Sequence, residues 1–328
     1  MAARSQLHRR SARKSAKTRS RSTRTPPNND QPRQSLYAEV TQKIIAELEA
    51  GRCPWVQPWG NAGVAPGLPR NALSNRKYSG INILLLWSAV IERGYPSQNW
   101  LTFLQALEAG GSVRKGERGT TVVFADKFIP KSEMERAASD GSDARQVHFL
   151  KRFTVFNVAQ CDGLPAHLIP ETLPMPERET IPVAEALIAA TGADFRIGGN
   201  RAYYSPSDDY IAIPPQQAFK EQINYYRTAL HELGHWSGSK SRLDRDFTGT
   251  FGSQSYAREE LCAELTSAYL CASLSIQPTV RHSDYIGNWL EVLRNDERAI
   301  FRAATLASKA ADYLLAFTSQ PGVMEVAA

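Results

Sequence analysis

The stretch YYRTALHELGHW, residues 225–236, contains two histidines four residues apart, with a glutamate directly after the first. On a helix, side chains at positions i and i+4 project from the same face, so His231 and His235 can share one metal ion. Glu232 lies beside that face, where its carboxylate can accept a proton from a water bound at the metal. The motif therefore predicts a zinc-type site on a helix of the C-terminal half.

A catalytic zinc site of this kind needs a third protein ligand, and one known arrangement can be tested directly. The metzincin continuation HExxHxxGxxH matches Gly238 but places Ser241 where the third histidine belongs. The metzincin class is therefore excluded. A core helix with two satisfied histidines remains the alternative to any metal site until a third ligand is found.

A second strongly helical segment, AREELCAE at residues 257–264, offers carboxylates downstream of the motif. It resembles the gluzincin ExxxD/E signature, in which the first acid ligates. Glu260 is accordingly the predicted third ligand, and Glu264 is predicted to orient a ligand histidine. Glu264 or Glu259 as the ligand is the alternative, and a solvated acidic face would explain all three glutamates without a metal. Tyr256 and His282 are candidates for stabilising an oxyanion.

The rest of the C-terminal half reads as mainly helical. A helix is predicted over residues 183–191, followed by the strand–turn–strand unit RAYYSPSDDYIAIP at 201–214. By analogy with known folds, this unit could form a sheet edge beside the site, where an extended peptide adds a strand.

The N-terminal half predicts an α+β domain. Periodicity and turn residues predict helices over 35–50, 80–93 and 99–109, strands over 120–128 and 148–158, and a long mobile hairpin loop over 131–146.

Basic and aromatic residues of this domain are candidate contacts to single-stranded DNA, because cations follow phosphates and rings stack on unpaired bases. The candidates fall in two turns and one strand: Arg76, Lys77, Tyr78, Arg114, Lys115, Arg118, Lys151 and Arg152. Phe149, Phe153 and Phe156 lie near the last two. Solvated turn cations are the alternative interpretation.

Charge is distributed unevenly along the 328 residues. Residues 1–34 carry ten Lys or Arg and one acid, residues 35–168 have a net charge of +3, and residues 169–328 of −6. The first segment is Arg- and Ser-rich and nearly devoid of large apolar residues, so it is predicted to be disordered. A phosphate-binding arm is the favoured interpretation, and a solubilising tail or an organellar transit peptide are the alternatives.

The sequence divides into a disordered basic tail at 1–34, an ssDNA-binding domain at 35–168 and a metallopeptidase-like domain at 169–328, with a Pro-rich linker near 170–176. No secretory signal or membrane-spanning run is expected, and four cysteines without CxxC spacing do not form a disulfide framework. The cytoplasm is the expected location.

Several segments resemble ArdC-type antirestriction proteins, whose N-terminal domain is shared with TraC-type plasmid primases. PWVQPW, NRKYSGIN, GGSVRKGERGTTVVF and FTVFNVAQCDGLP resemble that domain, and HELGHWSGSKSRLDRDF, FGSQSYAREELCAELTSAYLC and the segment beginning YIGNWLEVLRNDERAIFRAA resemble the metallopeptidase domain that follows it in ArdC. The resemblance covers about residues 35–318 and has no counterpart for the tail.

This resemblance implies an α+β fold with two domains, the first binding single-stranded DNA and the second mainly helical and zincin-like. It implies Zn²⁺ as the cofactor, His231, His235 and Glu260 as ligands, and Glu232 as the catalytic residue. It also implies protection of incoming plasmid DNA from host restriction during conjugation. A DNA-coating protein with a structural metal, and a peptidase that DNA localises to a host protein or restriction enzyme, are the alternative functions.

Overall fold

The computed structural model describes residues 35–56, 67–169, 177–250, 252–276 and 286–318. The predictions for the basic tail, the Pro-rich linker and His282 lie outside these residues. No described helix has the length and apolar character that crossing a membrane requires. The described α-helices are α1 (Leu36–Glu49), α2 (Ile81–Arg93), α3 (Phe103–Glu108), α4 (Lys131–Asp140), α5 (Glu177–Thr191), α6 (Gln222–Trp236), α7 (Gln254–Ser273), α8 (Ile286–Asn295) and α9 (Ala299–Ala316).

Three small sheets accompany these helices. The strands are β1 (Arg70–Asn71), β2 (Asn99–Leu101), β3 (Ser112–Val113), β4 (Thr120–Phe128), β5 (Val147–Asn157), β6 (Cys161–Asp162), β7 (Asp194–Ile197), β8 (Tyr203–Ser205) and β9 (Tyr210–Ile213). The first sheet has the order β1-β2-β5-β4, with β1 and β2 parallel and the other pairs antiparallel. Strands β3 and β6 form an antiparallel pair, and the third sheet has the order β7-β9-β8. All nine described strands thus precede α6, and the mixture of sheets and helices confirms the predicted α+β class.

The helix predicted over 99–109 is wrong in its first part. Residues Asn99–Leu101 form β2, and the helix begins only at Phe103. Thr102 ends the strand because it caps the helix: its hydroxyl accepts from the Gln105 amide, and the Gln105 side chain accepts from the Thr102 amide. This capping box satisfies two amides that a longer helix would have bonded internally.

The predicted hairpin loop over 131–146 is also wrong in part, because α4 occupies its first ten residues. Good helix formers fill this stretch, Pro130 precedes the first turn, and Gly141 ends the helix in the left-handed conformation at φ 72°. None of its residues is buried. An exposed polar helix shows no apolar periodicity, which is why the pattern favoured a loop.

The remaining predicted elements are largely confirmed. Helices α1 and α2, strands β4 and β5, and the strand–turn–strand unit β8–β9 lie where the sequence predicts them. Helix α5 begins earlier than predicted, at Glu177, and β7 was not predicted. Strand β7 pairs in parallel with β9, so the unit around 201–214 is part of a three-stranded sheet with β8 at its edge among the described strands.

The largest core cluster contains residues from both halves of the chain. Trp55 packs edge-to-face on Trp289 at 5.6 Å, and Trp87 of α2 on Tyr269 of α7 at 5.7 Å. Residues of α1, α2, α6, α7, α8 and α9 are therefore buried together. The domain boundary at 168/169 stays a prediction.

Candidate metal centre

Helices α6 and α7 pack antiparallel, and their facing sides carry the predicted site. His235, late in α6, contacts Glu259, early in α7, whereas His231 contacts Glu260 and, one turn further along α7, Glu264. The 3.6-residue period explains this placement, since positions four apart on each helix face the same neighbour. The fold thus brings two segments of sequence that lie over twenty residues apart into one site.

The three predicted ligands converge. His231 Nε2 lies 3.6 Å from Glu260 Oε2, and His235 Nε2 lies 3.5 Å from Glu260 Oε1. One ligand atom of each residue lies within 4.8 Å of the other two. Ligand atoms around a tetrahedral zinc are separated by roughly 3.3–3.6 Å, so the donor set and its spacing fit a metal of this type.

Buried charge supports the same conclusion. Four carboxyl groups of α6 and α7 are buried, those of Glu232, Glu259, Glu260 and Glu264. Against these four carboxyl groups, only two lysine or arginine residues are buried among the described residues, Arg227 and Arg245. Burying uncompensated carboxylates is costly. With both histidines neutral, as metal binding requires, a divalent cation between the two helices would balance the two remaining negative charges.

The pKa values of His231 and Glu260, two of the predicted ligands, reflect this excess of carboxylates. Burial by itself lowers the pKa of His231, but hydrogen bonds to Glu260 and then to Glu264 outweigh it and raise that pKa to about 10. Burial raises the pKa of Glu260, but the hydrogen bond with His231 and the charges of His235 and His231 lower it to about 2. Glu260 is therefore ionised at neutral pH, whereas His231 must lose a proton before it can bind a metal.

Each histidine contacts a second carboxylate through its other ring nitrogen. His231 Nδ1 lies 3.5 Å from Glu264 Oε2, the residue predicted to orient a ligand histidine. His235 Nδ1 lies 3.1 Å from Glu259 Oε1. Sequence reasoning offered Glu259 only as an alternative ligand. No periodic signal indicates its contact with Arg245, which comes from the loop before α7.

A cavity of about 320 Å³ opens beside the histidines. Its wall includes the candidate base Glu232 and the three predicted ligands. Other lining residues come from β8 and the segments on either side of it, from the loop between α6 and α7 and from the first two turns of α7: Arg201, Ala202, Tyr203, Tyr204, Pro206, Asp246, Phe247, Gly249, Ser255, Tyr256 and Glu259. A metal bound at the histidines would thus be reachable from this cavity.

Tyr256 is the candidate oxyanion residue within the described chain. It lines the cavity one helical turn before Glu260, and a hydrogen bond from its side chain helps to lower the Glu260 pKa. The hydroxyls of Tyr203 and Tyr204 have other partners, since they bond Tyr210 and Asp209 respectively. The Tyr256 hydroxyl therefore lies next to a predicted ligand.

The seven predicted DNA-contacting cations are all exposed, but they are not equivalent. Arg114 pairs with Glu117 and Asp162, Lys151 with Asp126, and Arg152 with Glu39. Four have no ion pair within the described residues: Arg76, Lys77, Lys115 and Arg118. The candidates lie in three segments, at residues 76–78, 114–118 and 151–152. Among the described residues, no hydrogen bond or ion pair joins one of these segments to another.

Tyr78 differs from the other candidates because it is half-buried. Its ring packs against a cluster that includes Trp100 and Val155. Burial raises the pKa of its hydroxyl, partly offset by a hydrogen bond with Asn71. A ring held in this way offers little surface for stacking on a base.

Two exposed phenylalanines that the sequence analysis overlooked, Phe124 and Phe128, lie on the β4–β5 ribbon with Phe153, which it had named. The register places Val122 opposite Phe153 and Phe124 opposite Lys151, so Phe124 and Phe153 share one face. Phe128 lies on that face too, and the three rings are 59%, 48% and 50% exposed for Phe124, Phe153 and Phe128. Phe124 and Phe128 are separated by an even number of residues in a strand, which places them on one face. This spacing was the signal that the sequence offered.

Two family models match successive parts of the chain. One describes the N-terminal domain of the anti-restriction factor ArdC and matches residues 34–156. The other describes a zincin-like metallopeptidase and matches residues 182–306. The fold and the site thus define a protein in which an ArdC-type N-terminal domain precedes a zincin-like metallopeptidase domain.

Solved structures of the antirestriction protein ArdC from plasmid R388 are similar over most of the chain. The metal-free structure has a TM-score of 0.73 at 42% identity and is matched over 87% of this chain and 98% of its own. The Mn(II)-bound structure has a TM-score of 0.71 at 40% identity, over 88% and 99%. The protein y4eC of Sinorhizobium fredii is 42% identical over 89% of this chain and 95% of its own length. The chain belongs to the ArdC antirestriction family.

Two Escherichia coli proteins named DNA primase TraC are 37% identical to the chain. The matches cover 86% and 88% of this chain but only 27% and 20% of the primases. They therefore show a shared segment of much longer proteins.

Proposed function

We propose that this chain is a cytoplasmic antirestriction protein that binds single-stranded DNA and uses a zinc-dependent peptidase site to protect incoming plasmid DNA during conjugation. The observation that carries the enzymatic part is the convergence of His231, His235 and Glu260 beside Glu232 in one cavity. A purely structural metal needs no acid in an adjoining cavity, so the position of Glu232 favours catalysis.

The residues of the chain divide the chemistry among them. His231, His235 and Glu260 would hold the zinc, which supplies the Lewis acidity that polarises a peptide carbonyl and makes water more acidic. The Glu232 carboxylate would accept the proton of the attacking water and pass it to the leaving amine. The Tyr256 hydroxyl would donate a hydrogen bond to the oxygen that becomes negative.

The edge of the third sheet supports an extended peptide as substrate. Strand β8 pairs with β9 on one side, and residues of β8 and of the segment before it line the cavity. A peptide could add to the other side of β8 through main-chain hydrogen bonds. Its scissile bond would then lie near the histidines.

Exchanging Glu232→Gln tests the enzymatic part. The amide keeps the size of the side chain but cannot act as a base, so the variant should keep its zinc content and its affinity for single strands and lose protection of a conjugating plasmid. The exposed Glu221→Gln, just before α6, serves as the matched control. Full protection by Glu232→Gln would leave a DNA-coating protein with a structural metal. Cleavage of a restriction enzyme or a host regulatory protein only when single-stranded DNA is present would favour a peptidase that DNA localises.

Cations and rings on the first sheet and its turns support the DNA-binding part. Lys77 and Lys115 are exposed and lie in different turns, and Phe124 and Phe153 offer ring faces beside Lys151. Cations that bind phosphates and rings that stack on bases together favour unpaired strands over duplex. Equal affinity for both forms in a fluorescence anisotropy titration would contradict this part.

A further inference from the structure

Arg245 lies in the connection between α6 and α7, outside both helices that carry the predicted ligands. Its side chain is only 3% exposed, which is rare for arginine. The guanidinium donates two hydrogen bonds to Glu259, from Nε to Oε2 at 3.0 Å and from Nη2 to Oε1 at 2.7 Å. A two-bond pair of this kind fixes the orientation of a carboxylate as well as its position.

Glu259 in turn contacts His235, with Oε1 3.1 Å from Nδ1. An ionised carboxylate can only accept hydrogen bonds, so Nδ1 carries the hydrogen in this contact. The lone pair of the imidazole is then on Nε2, the atom that lies 3.5 Å from Glu260 Oε1. The side chain that fixes the tautomer of His235 is therefore itself fixed by Arg245.

We propose that Arg245 is a positioning residue of the metal centre: through Glu259 it holds His235 in the tautomer and ring orientation that direct Nε2 at the metal. This role rests on the metal-binding function proposed above. Arg245 would touch neither substrate nor metal, and its effect would reach the site only through Glu259.

The other contacts of Arg245 provide a control. Nη1 donates to Ser237 Oγ at 3.0 Å, and Nη2 also donates to the Gly234 carbonyl at 2.5 Å. These bonds attach the loop to the end of α6. Replacing Ser237 with alanine removes one of them and leaves the path from Arg245 to Glu259 and His235 intact.

The test is a double-mutant cycle on zinc affinity, measured by competition with a chromophoric chelator. Arg245→Met and Glu259→Gln should each weaken zinc binding by about 10- to 100-fold, the usual effect of losing an outer partner of a ligand histidine. Because Arg245 acts through Glu259, the double variant should bind no more weakly than Glu259→Gln alone. Ser237→Ala should bind zinc like the wild type.

A second readout separates positioning from a merely structural role. The visible spectrum of the Co(II)-substituted protein should change in Glu259→Gln and in Arg245→Met but not in Ser237→Ala, because it reports the ligand geometry. If Arg245→Met does not fold, Glu259→Gln carries the test. Wild-type zinc affinity and spectrum in Glu259→Gln, or additive losses in the double variant, would overturn the role of Arg245. A wild-type protein that binds neither ion would overturn the metal site itself along with it.

Discussion

Gly234 of α6 lies against the backbone of Ala263 of α7 where the two helices that carry the predicted ligands cross. A Cβ atom on Gly234 would be 3.3 Å from both the Cα and the carbonyl oxygen of Ala263. Since these are backbone atoms, α7 itself would have to move by a few tenths of an ångström. Gly234 directly precedes His235, so we expect this contact to set the spacing between the histidines and Glu260.

Exchanging Gly234→Ala should therefore lower the affinity for zinc but change the free energy of unfolding only a little. Separating the helices displaces Glu260 from the histidines, and we expect a loss of about 10-fold in zinc affinity. Alanine gains up to about 1 kcal/mol over glycine within a helix, which offsets much of the strain. Chelator competition and urea denaturation measure the two effects.

The control is Gly287→Ala in α8, where a Cβ would meet no atom within 4 Å. Because Gly287 lies in the first turn of α8, the exchange should raise the free energy of unfolding by at most about 0.5 kcal/mol and leave zinc binding unchanged. Wild-type zinc affinity in Gly234→Ala would show that the crossing does not set the ligand spacing.

The helical spacing of His231 and His235 allowed their shared face to be predicted, because periodicity is a local property of the sequence. The same reasoning placed Glu260 and Glu264 one turn apart on a second helix. It could not find the contact of Arg245 with Glu259, because a contact between a loop residue and a helix residue leaves no periodic pattern in the sequence. Strand β7 was missed for a similar reason, since its pairing partner β9 lies beyond β8 in the sequence.

Zinc removal should lower the stability of the protein, because the buried carboxylates lose the cation that balances them. A ligand present at 100 times its Kd stabilises the native state by about 2.7 kcal/mol. Thermal denaturation with and without a chelator should show a lower Tm in the metal-free protein. His231→Ala should have a Tm that no longer responds to zinc, and a wild-type Tm independent of zinc would contradict the proposed site.

The turn between β8 and β9 should contribute stability that depends on pH. Hydrogen bonds from Arg242, and then from Tyr204, lower the pKa of Asp209 against the opposing effect of burial. A carboxyl whose folded pKa is depressed stabilises the native state above its unfolded pKa of about 3.9. That stability is lost as the pH falls through the lower folded value.

Exchanging Asp209→Asn should accordingly destabilise the protein more at pH 7 than at pH 3. Asn tolerates the left-handed backbone at this position, where φ is 54°, so the change acts mainly on charge. The side chain is 48% exposed, which keeps the effect below about 1 kcal/mol. Urea denaturation at the two pH values measures this difference in the free energy of unfolding. An equal loss of stability at both pH values would mean that the charge of Asp209 is not its cause.

DNA affinity should depend on the unpaired cations of the N-terminal half. The double exchange of Lys77 and Lys115 to glutamate should weaken binding of a labelled single strand and make it less sensitive to salt, because each phosphate contact contributes about −0.7 to the slope of log K against log salt. Lys309→Glu, an exposed lysine on α9, is the control and should bind like the wild type. An unchanged slope in the double variant would remove these lysines from the DNA-binding surface.

The exposed rings of the ribbon should contribute affinity that salt does not reduce. Replacing Phe124 or Phe153 with alanine should cost about 1–3 kcal/mol if a base stacks on the ring, while the salt dependence stays that of the wild type. Deleting residues 1–34 should have the opposite signature, a loss of affinity and of salt dependence with the preference for single strands retained. Anisotropy titrations at several salt concentrations separate the two contributions. A ring exchange that leaves affinity unchanged would mean that bound DNA does not reach this face of the β4–β5 ribbon.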